Sequence, residues 1–364
     1  MYAYVQCARY IHFYIFKTNI MLYISCRKVG VRMLKLGIIG CGKVTTMFHL
    51  KAIREIDDIS VVAVSDIDAD RMEEVRRISG AERGYLNYLE MLEDSEIQVI
   101  VVCTPPRLHG EMVLNAVEKE KHVLCEKPLA RTTRECLEIK RALEEKGVVV
   151  LPVHNYLFTP ALSPARFLIK QGVIGRINYM RVEFKNNLRI YRPRTDFRLK
   201  EAFGIVEDLL PHVLSVSGWI AGEVEQVVNV KAWRKRHGVP DNAHVKFTLE
   251  QGIPLEVALS WTKLIPTFRV EVLGEDGSVE LDLIRAPQSF KLISGSTKTK
   301  VKLEGRLKEY LKLIRLRHPS FRNQYLHFLH IIEKKMKPII TLEDEVNIVR
   351  TIEEVISALS NIYS

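Results

Sequence analysis

The residues best suited to binding a nucleotide lie near the start of the chain, where a short apolar run ends in a glycine-rich loop. This loop is Gly40-Cys41-Gly42-Lys43-Val44-Thr45. Glycine at position 40 permits a tight turn, and glycine at position 42 lets a pyrophosphate approach the backbone. The N–H groups at the start of a following helix would face the phosphates. The loop therefore predicts a dinucleotide site at Gly40, Gly42, Lys43 and Val44.

An acidic residue ends the second predicted strand. Asp66 stands 24 positions after Gly42. A carboxylate there accepts hydrogen bonds from both adenosine ribose hydroxyls and repels a 2′-phosphate, which favours NAD over NADP. Two alternatives stay open: Asp66 merely caps the turn at Asp68, or Ser65 and Arg71 leave room for NADP.

Two further strand ends carry residues that can line the same cleft, because ligands bind beyond the carboxyl ends of parallel strands. The segments are Thr104-Pro105 with His109, and Glu126-Lys127-Pro128. A lysine beside a bound nicotinamide ring can take or share a proton at neutral pH. Taken alone, a lysine before a proline is more often a surface residue.

A second pair of ionisable residues lies in the later half of the chain. Asp208 and His212 are four positions apart, so they share one face of a helix that we expect to begin near Glu207. Both side chains can then serve one substrate, and Pro211 falls in the first turn, where its missing N–H costs little. Without Lys127 and the glycine loop, His212 would more often be a core histidine.

Short strands alternate with amphipathic helices from position 33 to about 154. The predicted strands are rich in Val and Ile, as strands buried on both faces are; they cover 35–39, 59–65, 99–103, 122–125 and 148–152. The predicted helices cover 46–55, 69–78, 109–119 and 133–146, with Asp68 and Thr132 as N-caps. This alternation predicts an α/β domain, a doubly wound parallel Rossmann sheet, over residues 33–154.

The rhythm changes after Tyr156. A helix at 164–170 is followed by long strands of period two at 177–184, 225–232, 243–250, 254–261, 268–273 and 278–282. The turns Gln251-Gly252 and Glu275-Asp276-Gly277 each join strands that must run antiparallel. The pattern predicts an α+β domain with a large open, mainly antiparallel sheet over 155–340, then a C-terminal helix over 341–364.

Taken together, these segments resemble the glucose–fructose oxidoreductase/inositol dehydrogenase/MocA (Gfo/Idh/MocA) family. The matching residues include the glycine loop, Asp66, Thr104-Pro105 with His109, Glu126-Lys127-Pro128, Asn155 with Pro160, and the segment from Gly204 to His212. The resemblance runs from Met33 to the C-terminus. The Glu-Lys-Pro segment followed by the Asp-x-x-x-His pair is its most specific part.

The resemblance implies oxidation of a sugar or cyclitol hydroxyl by NAD(P). It assigns Lys127 and His212 to proton transfer and Asp208 to holding the substrate, and it places Asn155 beside cofactor and substrate. The chain departs from the family at three positions. Members of the family commonly have Gly where this chain has Leu210, Asp where it has Ser215, and often Arg where it has Leu157. These departures leave the reaction class intact and the substrate unnamed.

Composition and charge exclude several other classes. The 364 residues are 47% hydrophobic and 27% charged, which is ordinary for a globular protein. The sequence has no run of about eighteen uncharged apolar residues. We therefore expect a soluble, cytoplasmic protein that does not associate with a membrane. The net charge is +10, but the sequence has no basic motif or aromatic-rich module that binds nucleic acid. A nucleic-acid-binding protein is therefore not expected. No carboxylate or Cys completes a metal site with His327 and His330, so no metal is expected. The six Cys lie scattered along the sequence, which indicates reduced thiols rather than disulfides.

Residues 1–32 differ from the rest of the chain. They carry five basic residues, no acidic one, and seven of the aromatic residues. His12, Lys17 and Asn19 interrupt the apolar stretch, so a signal peptide is not indicated. We expect an over-extended start or a poorly ordered appendage, with a membrane-surface helix as the alternative.

These observations predict an NAD-dependent dehydrogenase that oxidises a hydroxyl of a sugar, sugar nucleotide or cyclitol, and that forms a homodimer or homotetramer. A protein that binds NAD without turnover is the alternative. The segment 186–204 holds five basic residues against two acidic ones. Arginines suit phosphates and carboxylates, so Arg192 and Arg194 predict an anionic carbohydrate substrate. The competing interpretation is a solvated loop or a subunit contact.

Overall fold

The computed structural model describes residues 33–188, 197–303 and 318–363. The expectations for residues 1–32 and for Arg192 and Arg194 lie outside the described residues. Within them, no helix is long and apolar enough to cross a bilayer.

The first domain is built on a fully parallel sheet with the strand order β3-β2-β1-β4-β5-β6. Its strands are β1 (Leu34–Ile39), β2 (Ile59–Ser65), β3 (Arg83–Tyr85), β4 (Val99–Val102), β5 (His122–Glu126) and β6 (Val150–Val153). Every residue of β4 and β6 is buried, as the apolar runs predict. The order reverses between β1 and β4, where a crevice opens beyond the strand ends. The Rossmann sheet is confirmed. The sequence missed β3, because its three residues include Arg83 and Gly84.

The helices of this domain are α1 (Leu50–Ile53), α2 (Ala69–Ser79), α3 (Tyr88–Leu92), α4 (His109–Glu118) and α5 (Thr133–Glu144). The Asp68 carboxylate accepts from the Arg71 N–H at 3.1 Å, and Thr132 forms a capping box with Glu135. Both predicted N-caps are therefore confirmed. The helix predicted over 46–55 is instead a π-helical turn, Thr45–His49, that leads into the short α1.

The second sheet has the order β14-β13-β12-β11-β7-β10-β9-β8. Its strands are β7 (Ile177–Asn187), β8 (Val224–Trp233), β9 (Asn242–Leu249), β10 (Ile253–Ser260), β11 (Thr262–Gly274), β12 (Gly277–Asp282), β13 (Ser289–Ser294) and β14 (Thr297–Lys302). All neighbours pair antiparallel except β7 with β10. The open, mainly antiparallel sheet is confirmed. The sequence missed β13 and β14, since the edge strand β14 is almost wholly exposed and has no apolar alternation.

Helix α7 (Ile205–Ala221) covers one face of this sheet, where it packs on β7, β9 and β10. Met180, Val182 and Phe184 of β7 are buried on that face. The opposite face carries charged and polar side chains that pair across strands, such as Lys246 with Glu256 at 2.7 Å. Alternation along each strand therefore separates an apolar face from a polar one.

Two helices at the end of the chain return to the first domain. Helix α8 (Pro319–Ile332) packs on α1 and on the turn Asn155–Phe158, whereas α9 (Leu342–Tyr363) packs on α5 and α7. Val346 and Val349 of α9 are buried among side chains of the nucleotide domain. Helix α6 (Leu162–Lys170) packs on the same turn and on β12. The C-terminal helix α9 also packs on β8, so it contacts both domains.

Candidate active site

The glycine loop has the backbone geometry that a nucleotide site requires. Gly40 has a φ of +99°, and a Cβ atom there would lie 2.6 Å from the Cys103 carbonyl oxygen, so only glycine fits. A Cβ atom at Gly42 would meet no atom within 4 Å. The backbone at position 42 thus faces open space, which supports the predicted approach of a pyrophosphate. Thr45 secures the turn by donating its hydroxyl to the Gly40 carbonyl at 2.6 Å.

Asp66 ties the loop to the second strand. Its carboxylate accepts the Cys41 N–H at 2.8 Å and the Asp68 N–H at 2.9 Å. The Arg71 guanidinium donates to the same carboxylate at 3.2 Å. Asp66 therefore does cap the turn at Asp68, and it also stands beside the glycine loop. An arginine lies next to the acid at the end of β2, where a cofactor's ribose is expected.

A buried ion pair that the sequence does not predict joins His49, just before α1, to Glu126 at the end of β5. His49 lies 2.9 Å from Glu126 and 2.8 Å from the Tyr325 hydroxyl. Burial opposes both charges, but the contacts of His49 with Cys103, Tyr325 and Glu126 raise its pKa well above the usual value. Against burial, the hydrogen bond from His49 lowers the pKa of Glu126. Glu126 thus holds the strand end before Lys127, and its carboxylate is engaged within the protein.

His109 connects the two loops at the end of β4 and β5. Its ring is fully buried, and its nitrogens lie 2.7 Å from the Pro128 carbonyl oxygen and 2.8 Å from that of Thr104. Burial lowers its pKa despite these carbonyls. Both ring nitrogens thus face main-chain carbonyls, which places the His109 ring between the two loops; its contact with the cofactor stays a prediction. Thr104 and Pro105 lie at the carboxyl end of β4, as expected.

Lys127 and Asp208 meet at the centre of the site, from β5 and α7. The Lys127 ammonium donates to the Asp208 carboxylate at 3.0 Å and to the Asp208 main-chain carbonyl at 2.5 Å. The Arg198 guanidinium lies 3.2 Å from the same carboxylate oxygen. Burial alone would raise the pKa of Asp208, but Lys127 and Arg198 outweigh it and hold the pKa well below the usual value. The carboxylate is therefore ionised between two cations.

His212 lies one turn further along α7, on the same face as Asp208. Its ring packs edge-on against Tyr156 with ring centroids 5.0 Å apart, and its Nδ1 is buried without a hydrogen-bond partner. Burial lowers the pKa of His212 well below the usual value, and the charge of Lys127 adds to this effect. The imidazole is therefore neutral at pH 7 and able to accept a proton.

The start of α7 corrects one prediction. The helix begins at Ile205, directly after Gly204 at a φ of +45°, so Pro211 lies inside it and not in its first turn. A Cβ atom at Gly204 would lie 2.6 Å from the Pro240 carbonyl oxygen, and this close approach fixes where the helix starts. The proline leaves the Glu207 carbonyl without its helical donor. Asp208 and His212 still share one face.

A second buried pair links the site to the C-terminal helix. Glu345 of α9 lies 2.6 Å from the Nε2 atom of His154, and its other carboxylate oxygen accepts the Leu129 N–H at 2.8 Å. Both side chains are fully buried. Leu129 stands two residues after Lys127, and His154 precedes Asn155. Nothing in the local sequence around Glu345 predicts this contact, because its partners lie about 190 and 216 positions away.

Asn155 opens the turn that carries Tyr156. Its side-chain amide donates to the Ser320 hydroxyl at 3.0 Å, and the residue is buried. This bond fixes the turn against α8. The structure thus brings together Lys127, Asp208 and His212, and the turn that begins at Asn155 contacts His212 through Tyr156. Arg192 and Arg194 lie outside the described residues.

Comparison with known proteins identifies the family. Residues 34–154 match the model of the oxidoreductase family with an NAD-binding Rossmann fold, and residues 163–280 match the GFO/IDH/MocA C-terminal domain. The chain belongs to the Gfo/Idh/MocA oxidoreductase family. The predicted family, the two-domain fold, the NAD-binding domain and the oxidoreductase class are all confirmed.

Similar proteins within this family include sugar and cyclitol dehydrogenases. D-apiose dehydrogenase of Paraburkholderia graminis is 28% identical over 271 residues, which is 72% of either chain. An NADP⁺-dependent scyllo-inositol 2-dehydrogenase of Bacillus subtilis is 30% identical over 69% of either chain. An Agrobacterium radiobacter oxidoreductase, crystallised with NAD⁺, L-tartaric acid and magnesium, shares the fold with a TM-score of 0.79. That structure is 18% identical and spans 90% of this chain and 97% of its own.

We predict that Glu345→Ala destabilises the protein far more than Glu343→Ala on the same helix. Removing Glu345 leaves His154 and the Leu129 N–H unpaired in the interior, a loss on the order of 3–5 kcal/mol. Glu343 pairs with Lys140 at the surface, where an ion pair contributes about 0–1 kcal/mol. Urea unfolding of both variants measures the difference. Equal losses would contradict a structural role for the buried pair.

Proposed function

We propose that this family member is an NAD-dependent dehydrogenase that oxidises a hydroxyl group of a sugar, sugar nucleotide or cyclitol. The observation that carries the proposal is the cluster of Lys127, Asp208 and His212, with the Lys127–Asp208 contact at 3.0 Å. The cluster lies beyond the carboxyl end of β5, on the edge of the sheet where the glycine loop also opens. A hydroxyl placed there meets an ammonium group and a neutral imidazole together.

His212, Lys127 and Asp208 have different roles in removing the proton of the substrate hydroxyl. The neutral imidazole of His212 accepts the hydroxyl proton, while the Lys127 ammonium donates a hydrogen bond to the oxygen and stabilises its developing negative charge. Asp208 orients Lys127 and accepts hydrogen bonds from the substrate. Tyr156 holds the imidazole plane by its edge-on contact. When bound, NAD⁺ supplies the hydride acceptor at C4 of its nicotinamide ring.

The residues at the glycine loop fit such a cofactor. The open space at Gly42 suits a pyrophosphate, and Gly40, Lys43 and Val44 form the rest of the proposed cradle. Asp66 would accept the ribose hydroxyls, which favours NAD. Arg71 beside it is the feature that would favour NADP, and relatives that use NADP⁺ exist. We propose NAD because Arg71 already bonds to two carboxylates, those of Asp66 and Asp68.

Arg198 supports an anionic substrate. The sequence predicts an anionic substrate from Arg192 and Arg194, which lie outside the described residues. Arg198 belongs to the same segment, and its guanidinium reaches Asp208. With His212 neutral, the cluster holds two cations, Lys127 and Arg198, against the single carboxylate of Asp208. A net positive pocket favours a carboxylate or phosphate on the substrate, as in a uronate or a nucleotide sugar.

A non-catalytic NAD-binding protein remains the alternative function. It gives no reason for a neutral histidine near a partly buried ammonium, because a structural site could replace both with apolar residues at less cost. We also propose a homodimer or homotetramer in the cytoplasm. The polar face of the second sheet, opposite α7, and exposed apolar residues such as Trp233 and Leu264 support the assembly. Light scattering of the purified chain measures its mass.

We predict that Lys127→Ala and His212→Ala each reduce turnover by about 10²–10⁴-fold, the range typical of positioned acid–base groups. The affinity for NAD should change only a few-fold. A panel of sugars, cyclitols and nucleotide sugars, followed by NADH absorbance, identifies the substrate for this comparison. Lys119→Ala, an exposed lysine at the end of α4, is the matched control. Near-normal turnover of Lys127→Ala would remove that residue from the mechanism, and inactivity of the wild type on every compound would favour the alternative.

We predict that NAD binds at least about tenfold more tightly than NADP, a difference of roughly 1.4 kcal/mol. In Asp66→Ser this preference should shrink or reverse, because the repulsion of a 2′-phosphate is lost while Arg71 remains. Fluorescence titration with both nucleotides measures the ratio. Asp70→Ser, an exposed acid of α2, should keep the wild-type ratio. An equal affinity of the wild type for both cofactors would refute the role given to Asp66.

We predict that Arg198→Met raises the KM of an anionic substrate by about tenfold, since a charge-assisted hydrogen bond is lost. The KM of a neutral polyol should stay within a few-fold. Arg131→Met removes a comparable arginine that pairs with Glu201 at the surface and serves as the control. If both substrate types lose activity equally in Arg198→Met, the residue only positions Asp208 and the anionic preference is wrong.

A further inference from the structure

A cavity of about 220 Å³ lies apart from the proposed catalytic cluster, between α7 and α9 and beside α6. Neither Lys127, Asp208 nor His212 lines it. Its apolar wall includes Leu157, Leu214 and Ile348, and its charged groups are Arg166, Glu223 and Asp344. The volume is below the roughly 300–1,000 Å³ of sites for drug-sized ligands, so any occupant is small.

Arg166 of α6 lines one part of this cavity. Its Nε donates to the Trp219 carbonyl at 2.5 Å, and its guanidinium carbon lies 4.5 Å from the centre of the Trp219 ring. Burial lowers its pKa. In the part of the chain that the structure describes, no carboxylate lies within ion-pair distance of it. A partly buried cation that is held in place by an aromatic ring and has no carboxylate partner among the described residues is complementary to an anion.

The two carboxylates of the cavity are held separately from Arg166. Glu223 accepts the Asn347 side-chain amide at 2.5 Å, and Asp344 accepts the N–H and hydroxyl of Thr341 at 2.6 and 2.7 Å. Each carboxylate uses one oxygen in these bonds, which leaves its other oxygen available to a ligand. Opposite charges that line one cavity without pairing with each other suit a ligand that carries both charges.

Leu157 and Ser215 both line the cavity. Ser215 bonds to the His212 carbonyl at 3.0 Å, so its hydroxyl is satisfied within α7. Leu157 therefore adds to the apolar wall, and Ser215 presents a small side chain whose hydroxyl is already bonded.

We propose that this cavity binds a small zwitterion of the α-amino-acid type with an apolar side chain. The ligand carboxylate would pair with Arg166, its ammonium group would lie at Glu223 and Asp344, and its side chain would pack against the apolar wall. The proposal is independent of the proposed dehydrogenase function, because it uses none of the residues assigned to catalysis.

Isothermal titration of the full-length chain tests the proposal with three related probes. These are leucine, 4-methylpentanoate, which lacks the amine, and isoamylamine, which lacks the carboxylate. Leucine should bind saturably below about 10 mM, and both single-charge probes should bind at least about tenfold more weakly, a difference of roughly 1.4 kcal/mol. Absence of saturable leucine binding, or equal binding of the three probes, would overturn the proposal.

Two variants localise the binding. Arg166→Met should weaken leucine binding by at least about tenfold, whereas Lys170→Met at the exposed end of the same helix should leave it unchanged. Gly218→Leu fills the cavity without removing a charge: Gly218 lines the cavity, and a Cβ atom there would meet no atom within 4 Å. This variant should fold, keep NAD binding and lose leucine binding. Leucine binding that survives in Gly218→Leu would place the ligand elsewhere and refute this site.

Discussion

The contact between Lys127 and Asp208 is the constraint around which the rest of the site is arranged. It joins the carboxyl end of a strand in the first sheet to a helix that covers the second sheet, through a side-chain and a main-chain acceptor. Burying an ion pair costs desolvation that the attraction often does not recover, so apolar residues would stabilise the same contact at least as well. The charges are therefore better explained by chemistry than by stability, and a third charge, Arg198, leaves the pair with a net positive field.

The loops that carry these groups are held by further buried polar contacts, several of them between distant parts of the chain. His49, which also bonds to Tyr325, holds Glu126. The Pro128 and Thr104 carbonyls hold His109, and Glu345 holds His154 and Leu129. Each contact satisfies a donor or acceptor that would otherwise be buried unpaired, which is costly in a low-dielectric interior. The terminal helices α8 and α9 supply Tyr325 and Glu345. The proposed catalytic cluster thus depends on residues that follow the second sheet in sequence, although they pack on the first domain.

What the sequence could predict follows from whether the signal is local. The glycine loop, the N-caps at Asp68 and Thr132 and the alternation of β7 are local patterns, and the structure has them. The roles of His49 and Glu345 depend on contacts across 77 and 191 positions, which no local pattern encodes. The start of α7 was misplaced for a similar reason. It is set by the close approach of Gly204 to the Pro240 carbonyl, a contact between distant segments.

Helix α7 carries two different surfaces within a few turns. Near its start, Asp208 and His212 face the proposed hydroxyl site, and Lys127 bonds to the Asp208 carbonyl beside the carbonyl that Pro211 leaves without a donor. Further along, Ser215, Gly218 and Trp219 face the cavity beside α9. Ser215 bonds to the His212 carbonyl, so the two surfaces meet at one turn of backbone.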